Sequence, residues 1–189
     1  MKQAVSVVLL PEESIAKLGI FLSEELHQAD PRKRIILGET DFLPHITLTM
    51  GYMDPNDLKD IETILERISQ ETNPLELTID NIYTIKKSLF TGLGVSNTGQ
   101  LRSLHDTVSS ALRNKLTHLV EESEWVTPPE VNEMVPSWVT NYPIGKSFNN
   151  YDPHITLGKG TTSAQIKHSI PFTAPYLVLA RMGNFCTVR

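Results

Sequence analysis

The pentapeptide Pro-His-Ile-Thr-Leu occurs twice, at residues 44–48 and 153–157, and no other feature of the chain restricts its fold as strongly. With each residue type at about one in twenty, a five-residue match at a given pair of positions arises about once in 3 million, against about 17,000 available pairs. Duplication is therefore the better explanation than chance, and the flanking pattern supports it. Val5–Leu10 reads as a buried strand, and Pro11, Glu12 and Glu13 form a suitable first turn for a helix with Ile15, Leu18, Leu22 and Leu26 on one face. After the first pentapeptide, Asp54-Pro55 caps a helix striped by Leu58, Ile61, Leu65 and Ile68, and Leu75, Leu77 and Ile79 alternate with Glu76, Thr78 and Asp80 as a half-exposed strand.

The second half follows the same order. Leu89–Val95 predicts a strand, and Asn97-Thr98 opens a helix bearing Leu101, Leu104, Val108 and Leu112. A short helical stretch is expected at Ser163–His168 after the second pentapeptide, then a closing strand at Tyr176–Ala180. Residues 118–150 interrupt this order with prolines, acids, Trp125, Trp138 and Tyr142 but no periodicity, and read as an inserted loop or flap. The expected architecture is α+β: one bilobal domain over 1–189, built from two small, largely antiparallel sheets flanked by helices around a central cleft.

Composition narrows the function. A net charge of −5 disfavours a surface that neutralises many backbone phosphates, so any nucleic-acid substrate is expected to be small or the end of a chain, not a long duplex. The basic cluster Arg32, Lys33 and Arg34 reads as a solvated loop, with drawing in an anion as the alternative. The apolar run Ala4–Leu10 is too short to span a bilayer, and the single cysteine, Cys186, permits no intramolecular disulfide. A cytoplasmic monomer without membrane association is expected.

In a strand, alternate side chains share a face, so His45 and Thr47 point one way and Ile46 and Leu48 the other. The same holds for His154 and Thr156. If the lobes face each other, the two polar pairs converge. Two imidazoles across a phosphate supply what phosphodiester transfer requires, one taking a proton from the attacking hydroxyl while the other protonates the leaving oxygen. The threonine hydroxyls are suited to donating to the non-bridging oxygens as their charge redistributes.

A metal site is the weaker reading, because neither motif offers a nearby second ligand except Asp152, which better fits shaping the turn before Pro153. His27, His105, His118 and His168 read as structural. Trp125, Trp138, Tyr142, Phe148 and Tyr151 are candidates to stack a base or to anchor residues 118–150, with Tyr151, three residues before His154, the best substrate-binding candidate. Lys159 falls on the face opposite Thr156 if the strand stays regular.

The paired patterns His45-Ile46-Thr47-Leu48 and His154-Ile155-Thr156-Leu157 resemble those of the 2H phosphoesterase superfamily, which includes the 2'-5' RNA ligase-like proteins and cyclic nucleotide phosphodiesterases. The resemblance extends to the separation of the motifs by about half the chain and to a closing segment, Gly183–Arg189, similar to the family's last strand. It implies a bilobal fold about a pseudo-two-fold axis and metal-independent, cofactor-free hydrolysis of a 2',3'-cyclic phosphate or 2'-5' phosphodiester on a nucleotide or RNA end. Catalysis would fall to His45 and His154, and phosphate binding to Thr47 and Thr156; reverse action as an RNA ligase is allowed. Two alternatives remain open at this level: hydrolysis of a non-RNA cyclic phosphate or cyclic oligonucleotide signal, and a module that binds nucleotide or RNA without turnover.

Overall fold

The computed structural model describes residues 1–29, 35–121, 124, 134–183 and 187–188, so Arg32, Lys33, Arg34, Trp125, Cys186 and most of the closing segment lie outside the described residues. The elements are β1 (Gln3–Leu10), α1 (Glu13–Ala29), β2 (Ile46–Met53), α2 (Leu58–Glu71), β3 (Leu75–Thr84), β4 (Phe90–Val95), α3 (Gly99–Ala111), β5 (Leu116–Thr117), α4 (Met134–Gly145), β6 (His154–Lys159), β7 (Ile170–Ala174) and β8 (Tyr176–Arg181). The helices follow from the apolar stripes: Ile15, Leu22 and Leu26 on α1, Ile61, Leu65 and Ile68 on α2, and Leu101, Leu104 and Val108 on α3 are all buried. Leu58 departs from its stripe and is 40% exposed, because Asp54 caps a separate turn of 3₁₀ helix over Pro55–Asp57 and α2 begins at Leu58.

The two expected sheets are two arms of one eight-stranded antiparallel sheet, in the order β7-β3-β4-β6-β2-β1-β8, with β5 added beside β2. The arms meet where β6 pairs with β2 at the single position Ile46↔Ile155. The outermost strands, β7 and β8, are separated in sequence by Pro175 alone, so the sheet curls until its two ends converge there. Glu12, between β1 and α1, holds this corner. Its amide donates to the Thr173 carbonyl at 2.8 Å, and its carboxylate accepts from the Thr173 amide at 3.1 Å and hydroxyl at 2.8 Å. The helices cross between arms, with α1 packed on β6 and α3 on β2.

Two sequence expectations fail in the second half. Ser163–His168 forms no helix; it is irregular, with a bend at Lys167 and His168, and Ala164 and Ile166 pack against the main core. The repeated order therefore lacks its second post-motif helix, and β7 stands in its place before β8. Residues 118–150 also contain more regular structure than their pattern suggested. Within them, α4 buries Val135, Val139 and Tyr142 in a second apolar cluster with Ala4, Met50, Tyr52 and Met182.

Three β-bulges decide what faces the cleft. In β2 the register steps from Val8↔Thr47 to Val7↔Thr49, and in β6 from Gly92↔Thr156 to Thr91↔Gly158, so the leucine of each pentapeptide is the extra residue. In β3 the step from Ile79↔Val95 to Asn81↔Gly94 leaves Asp80 extra. Each bulge reverses the alternation beyond it. Lys159 consequently pairs with Phe90 and lies on the same face as Thr156, contrary to the regular-strand expectation, and its Nζ sits 4.9 Å from the Phe90 ring centroid.

Candidate active site

Ile46, Leu48, Ile155 and Leu157 are wholly buried, so the alternate positions His45, Thr47, His154 and Thr156 turn away from the core and line one cavity of about 340 Å³. The antiparallel register at Ile46↔Ile155, continued one residue in each direction, sets His45 across from Thr156 and Thr47 across from His154. Neighbours of that kind hold their Cβ atoms about 5 Å apart. Each imidazole thus has the other motif's threonine beside it.

The two histidines are held in the same way. His45 Nδ1 donates to the Leu43 carbonyl at 2.7 Å, and His154 Nδ1 donates to the Asp152 carbonyl at 2.8 Å. A carbonyl can only accept, so Nδ1 carries the proton and each neutral ring keeps its Nε2 lone pair for other partners. Burial lowers the pKa of His45 to about 4, the neighbouring His154 adding to the Leu43-opposed shift. His154 is lowered too, mainly by burial; Lys146 pushes in the same direction, while the Asp152 carbonyl and carboxylate oppose it. Both rings are therefore neutral near pH 7.

On the β4 side, Gly94 pairs with His154 and Gly92 with Thr156, so β4 itself raises no side chain beside either residue. Tyr83, paired with Gly92, leans over that space; a Cβ on Gly92 would lie 3.1 Å from its hydroxyl. Its ring meets His154 edge-on at 6.0 Å. Tyr83 was not singled out by its sequence, where alternation places it with the core residues Leu75, Leu77 and Ile79. The bulge at Asp80 turns it into the cavity, and burial raises its pKa, keeping the phenol protonated.

A further wall is α4, which brings Trp138, Asn141 and Tyr142 to the cavity, with Lys146 directly after its end. Trp138 packs edge-on against Phe90 at 5.7 Å, and Lys146 pairs with Asp152 at 3.0 Å. Tyr151 also lines the cavity, 6% exposed, with one face of its ring stacked on His105 at 3.9 Å. Phe148 does not reach the cavity; it meets His105 edge-on at 5.7 Å.

His105 and His118 support the site from behind. Beyond Ile46 the edge of β2 leaves β6 and joins β5 only at Tyr52 and Met53, so the intervening carbonyls need other donors. Leu48 accepts from His105 Nδ1 at 2.6 Å and from the Tyr142 hydroxyl at 2.9 Å, and Met50 accepts from His118 Nε2 at 2.8 Å. His105 Nε2 in turn accepts from the Phe148 amide at 2.8 Å. The His105→Phe variant, which keeps a ring against Tyr151, is expected to lose about 1–3 kcal/mol because that amide loses its acceptor. Urea denaturation checks this; an unchanged midpoint would show that the histidine is dispensable to the fold.

Fold and cavity together define an α+β protein with a curled antiparallel sheet and two His-x-Thr strands lining one cleft. The sequence profile of the 2'-5' RNA ligase superfamily matches residues 40–177, and the chain belongs to that family, a superfamily of phosphoesterases. Its fold is like that of E. coli LigT, known in complex with NADP+, at a TM-score of 0.58 and 16% identity, covering 100% of this chain and 94% of LigT. A phosphoesterase matches at the same TM-score, identity and coverage, and the MHV ns2 PDE domain at a TM-score of 0.57 and 14% identity, covering 96% of this chain and 99% of that domain. No curated protein matches the sequence. Among the described residues, no helix is long and apolar enough to cross a membrane.

Proposed function

We propose that this protein is a phosphodiesterase that opens a 2',3'-cyclic phosphate, or cleaves a 2'-5' phosphodiester, on a nucleotide or RNA end, by acid-base catalysis at His45 and His154. The observation that carries the reading is the juxtaposition of two neutral imidazoles and two threonines on one face of one cavity, each imidazole oriented by a backbone carbonyl. One histidine accepts a proton from water as its oxygen attacks phosphorus; the other protonates the ribose oxygen as its bond to phosphorus breaks. The second histidine must enter this step protonated, and the substrate's negative charge favours that form where burial alone disfavours it. Thr47 and Thr156 donate to the non-bridging oxygens, and the Tyr83 phenol, edge-on to His154, is a further donor within the cavity. A cavity of about 340 Å³ suits a nucleotide-sized ligand, and the fold relative LigT is known with NADP+ bound.

The test is a panel of 2',3'-cyclic mononucleotides, 2'-5'-linked dinucleotides and an ADP-ribose cyclic phosphate, incubated with EDTA and followed by phosphorus NMR. Conversion of a cyclic phosphate to a single monophosphate isomer is the expected result. Turnover of the ADP-ribose compound alone would move the substrate away from RNA. Tight nucleotide binding with every phosphodiester left intact would replace the enzyme by a binding module.

A further inference from the structure

Pairing between β2 and β6 fixes the relation of the two motif strands at one point, Ile46↔Ile155, and beyond it the strands part. One buried side chain meets both sides of the gap. His105, on α3 and wholly buried, donates from Nδ1 to the carbonyl of Leu48, the bulged leucine of the first motif, at 2.6 Å, and accepts at Nε2 from the Phe148 amide at 2.8 Å. Its ring stacks at 3.9 Å on Tyr151, the residue before Asp152, whose carbonyl takes the Nδ1 proton of His154. Leu48 directly follows Thr47. The imidazole thus spans from the strand of one motif to the turn that delivers the other.

That turn needs holding. Phe148 has a φ of 50°, in the left-handed region that a side chain of its size rarely adopts, and the Tyr151 amide donates to its carbonyl at 3.0 Å to close the 3₁₀ turn Phe148–Asn150. Helix α3 grips both polar groups of this residue: Arg102, one turn before His105, donates to the same carbonyl at 2.9 Å, and His105 takes the amide. Asn97, just ahead of α3, donates to the Tyr151 carbonyl at 3.0 Å.

The choice of side chain fits a bridge. A backbone carbonyl demands a donor and a backbone amide an acceptor, and a neutral imidazole offers one of each, pointing apart from a rigid ring. Burial lowers the pKa of His105 and keeps it in this form. The Tyr142 hydroxyl also donates to Leu48, at 2.9 Å, so the carbonyl has a donor without His105; what the imidazole adds is the connection to Phe148.

We propose that His105 is a positioning residue: by joining the Leu48 bulge to the Phe148 turn it sets the spacing of the two His-x-Thr motifs, and through that turn it keeps the Asp152 carbonyl on His154. Its effect on turnover rests on the phosphodiesterase reading above; the bridge itself does not. Reacting groups displaced by about 1 Å lose on the order of 10²-fold in rate, so loosening the bridge falls on turnover more than on substrate binding.

The experiment uses two variants that each keep one end of the bridge. In His105→Asn the amide nitrogen stands in for Nδ1 and keeps the donor to Leu48; in His105→Gln the carboxamide oxygen stands in for Nε2 and keeps the acceptor for Phe148. Phe172→Leu, a buried change in the outermost strand β7, controls for lost stability. Kinetics on a 2',3'-cyclic mononucleotide, with a urea midpoint for every variant, are expected to show kcat lowered on the order of 10- to 100-fold in both His105 variants, KM changed by less than about threefold, and wild-type kcat in Phe172→Leu. Nitrogen-15 NMR of the histidine rings reads the bridge without turnover: His154 is expected as the Nδ1–H tautomer in wild type and as a mixture of both tautomers in His105→Asn. Wild-type kcat in both His105 variants, a kcat in Phe172→Leu that falls with its urea midpoint, or a His154 tautomer unmoved in His105→Asn overturns the proposal. Absence of turnover in wild type, with the tautomer released in His105→Asn, overturns the enzyme reading and leaves the bridge standing.

Discussion

His45→Ala and His154→Ala are each expected to lower kcat on a 2',3'-cyclic phosphate by about 10²- to 10⁴-fold, the range that a positioned acid or base contributes. The effect should fall on kcat more than on KM, because the base and the acid each gain their strongest interaction only as protons move. The double variant should be little worse than either single one, since removal of either partner already breaks the coupled transfer. Thr47→Val and Thr156→Val, which keep the strand former and remove only the hydroxyl, are expected to cost up to about 10²-fold through the lost donors. Steady-state kinetics with circular dichroism as a folding control checks all five variants. Wild-type rates in either histidine variant would remove these residues from the chemistry while leaving the fold untouched.

The second large effect is on stability and follows from how the histidines are buried. His45 is held at about 4 against an ordinary value of 6.5, and His105, His118 and His154 are shifted in the same direction, burial being the first cause in each. Between those values the unfolded chain binds protons that the native state does not. Stability is therefore complete above about pH 6.5 and is lost as the pH falls towards 4. His45 alone accounts for about 3 kcal/mol across that window, from 2.5 pKa units at about 1.36 kcal/mol each. Urea midpoints should fall clearly between pH 7 and pH 5, before most carboxylates protonate, and His45→Gln should flatten the fall. Midpoints that stay level over that interval would mean that these rings accept protons without penalty.

The helices α1, α2 and α3 and the phase of the two pentapeptides were legible because both rest on local periodicity: a stripe at 3.6 residues, an alternation at 2. Alternation also put His45, Thr47, His154 and Thr156 on a shared side, and strand pairing at Ile46↔Ile155 then brought the sides together. What local periodicity cannot carry is a register step. The bulges at Leu48, Asp80 and Leu157 have no compositional mark, and those at Asp80 and Leu157 decide that Tyr83 lines the cleft and that Lys159 shares the face of Thr156. Other misses have separate causes. The apolar sequence of α4 is not confined to one face and has Pro143 inside it, so it shows no stripe. β7 is five residues long with Pro171 among them, which fits an outermost strand and little else. Its neighbour, Ser163–His168, mimicked a helical spacing over too few residues to be distinguished from an irregular segment.

The bend at Pro175 has a consequence for how the enclosure can move. Its two sides are tied both at the motifs, through Ile46 and Ile155, and at this far corner, where Glu12 grips Thr173, so spreading them apart must strain one of the two ties. A sheet fastened at both ends like a clasp keeps its own width nearly constant, so any widening of the cavity falls to the α4 wall and not to the arms.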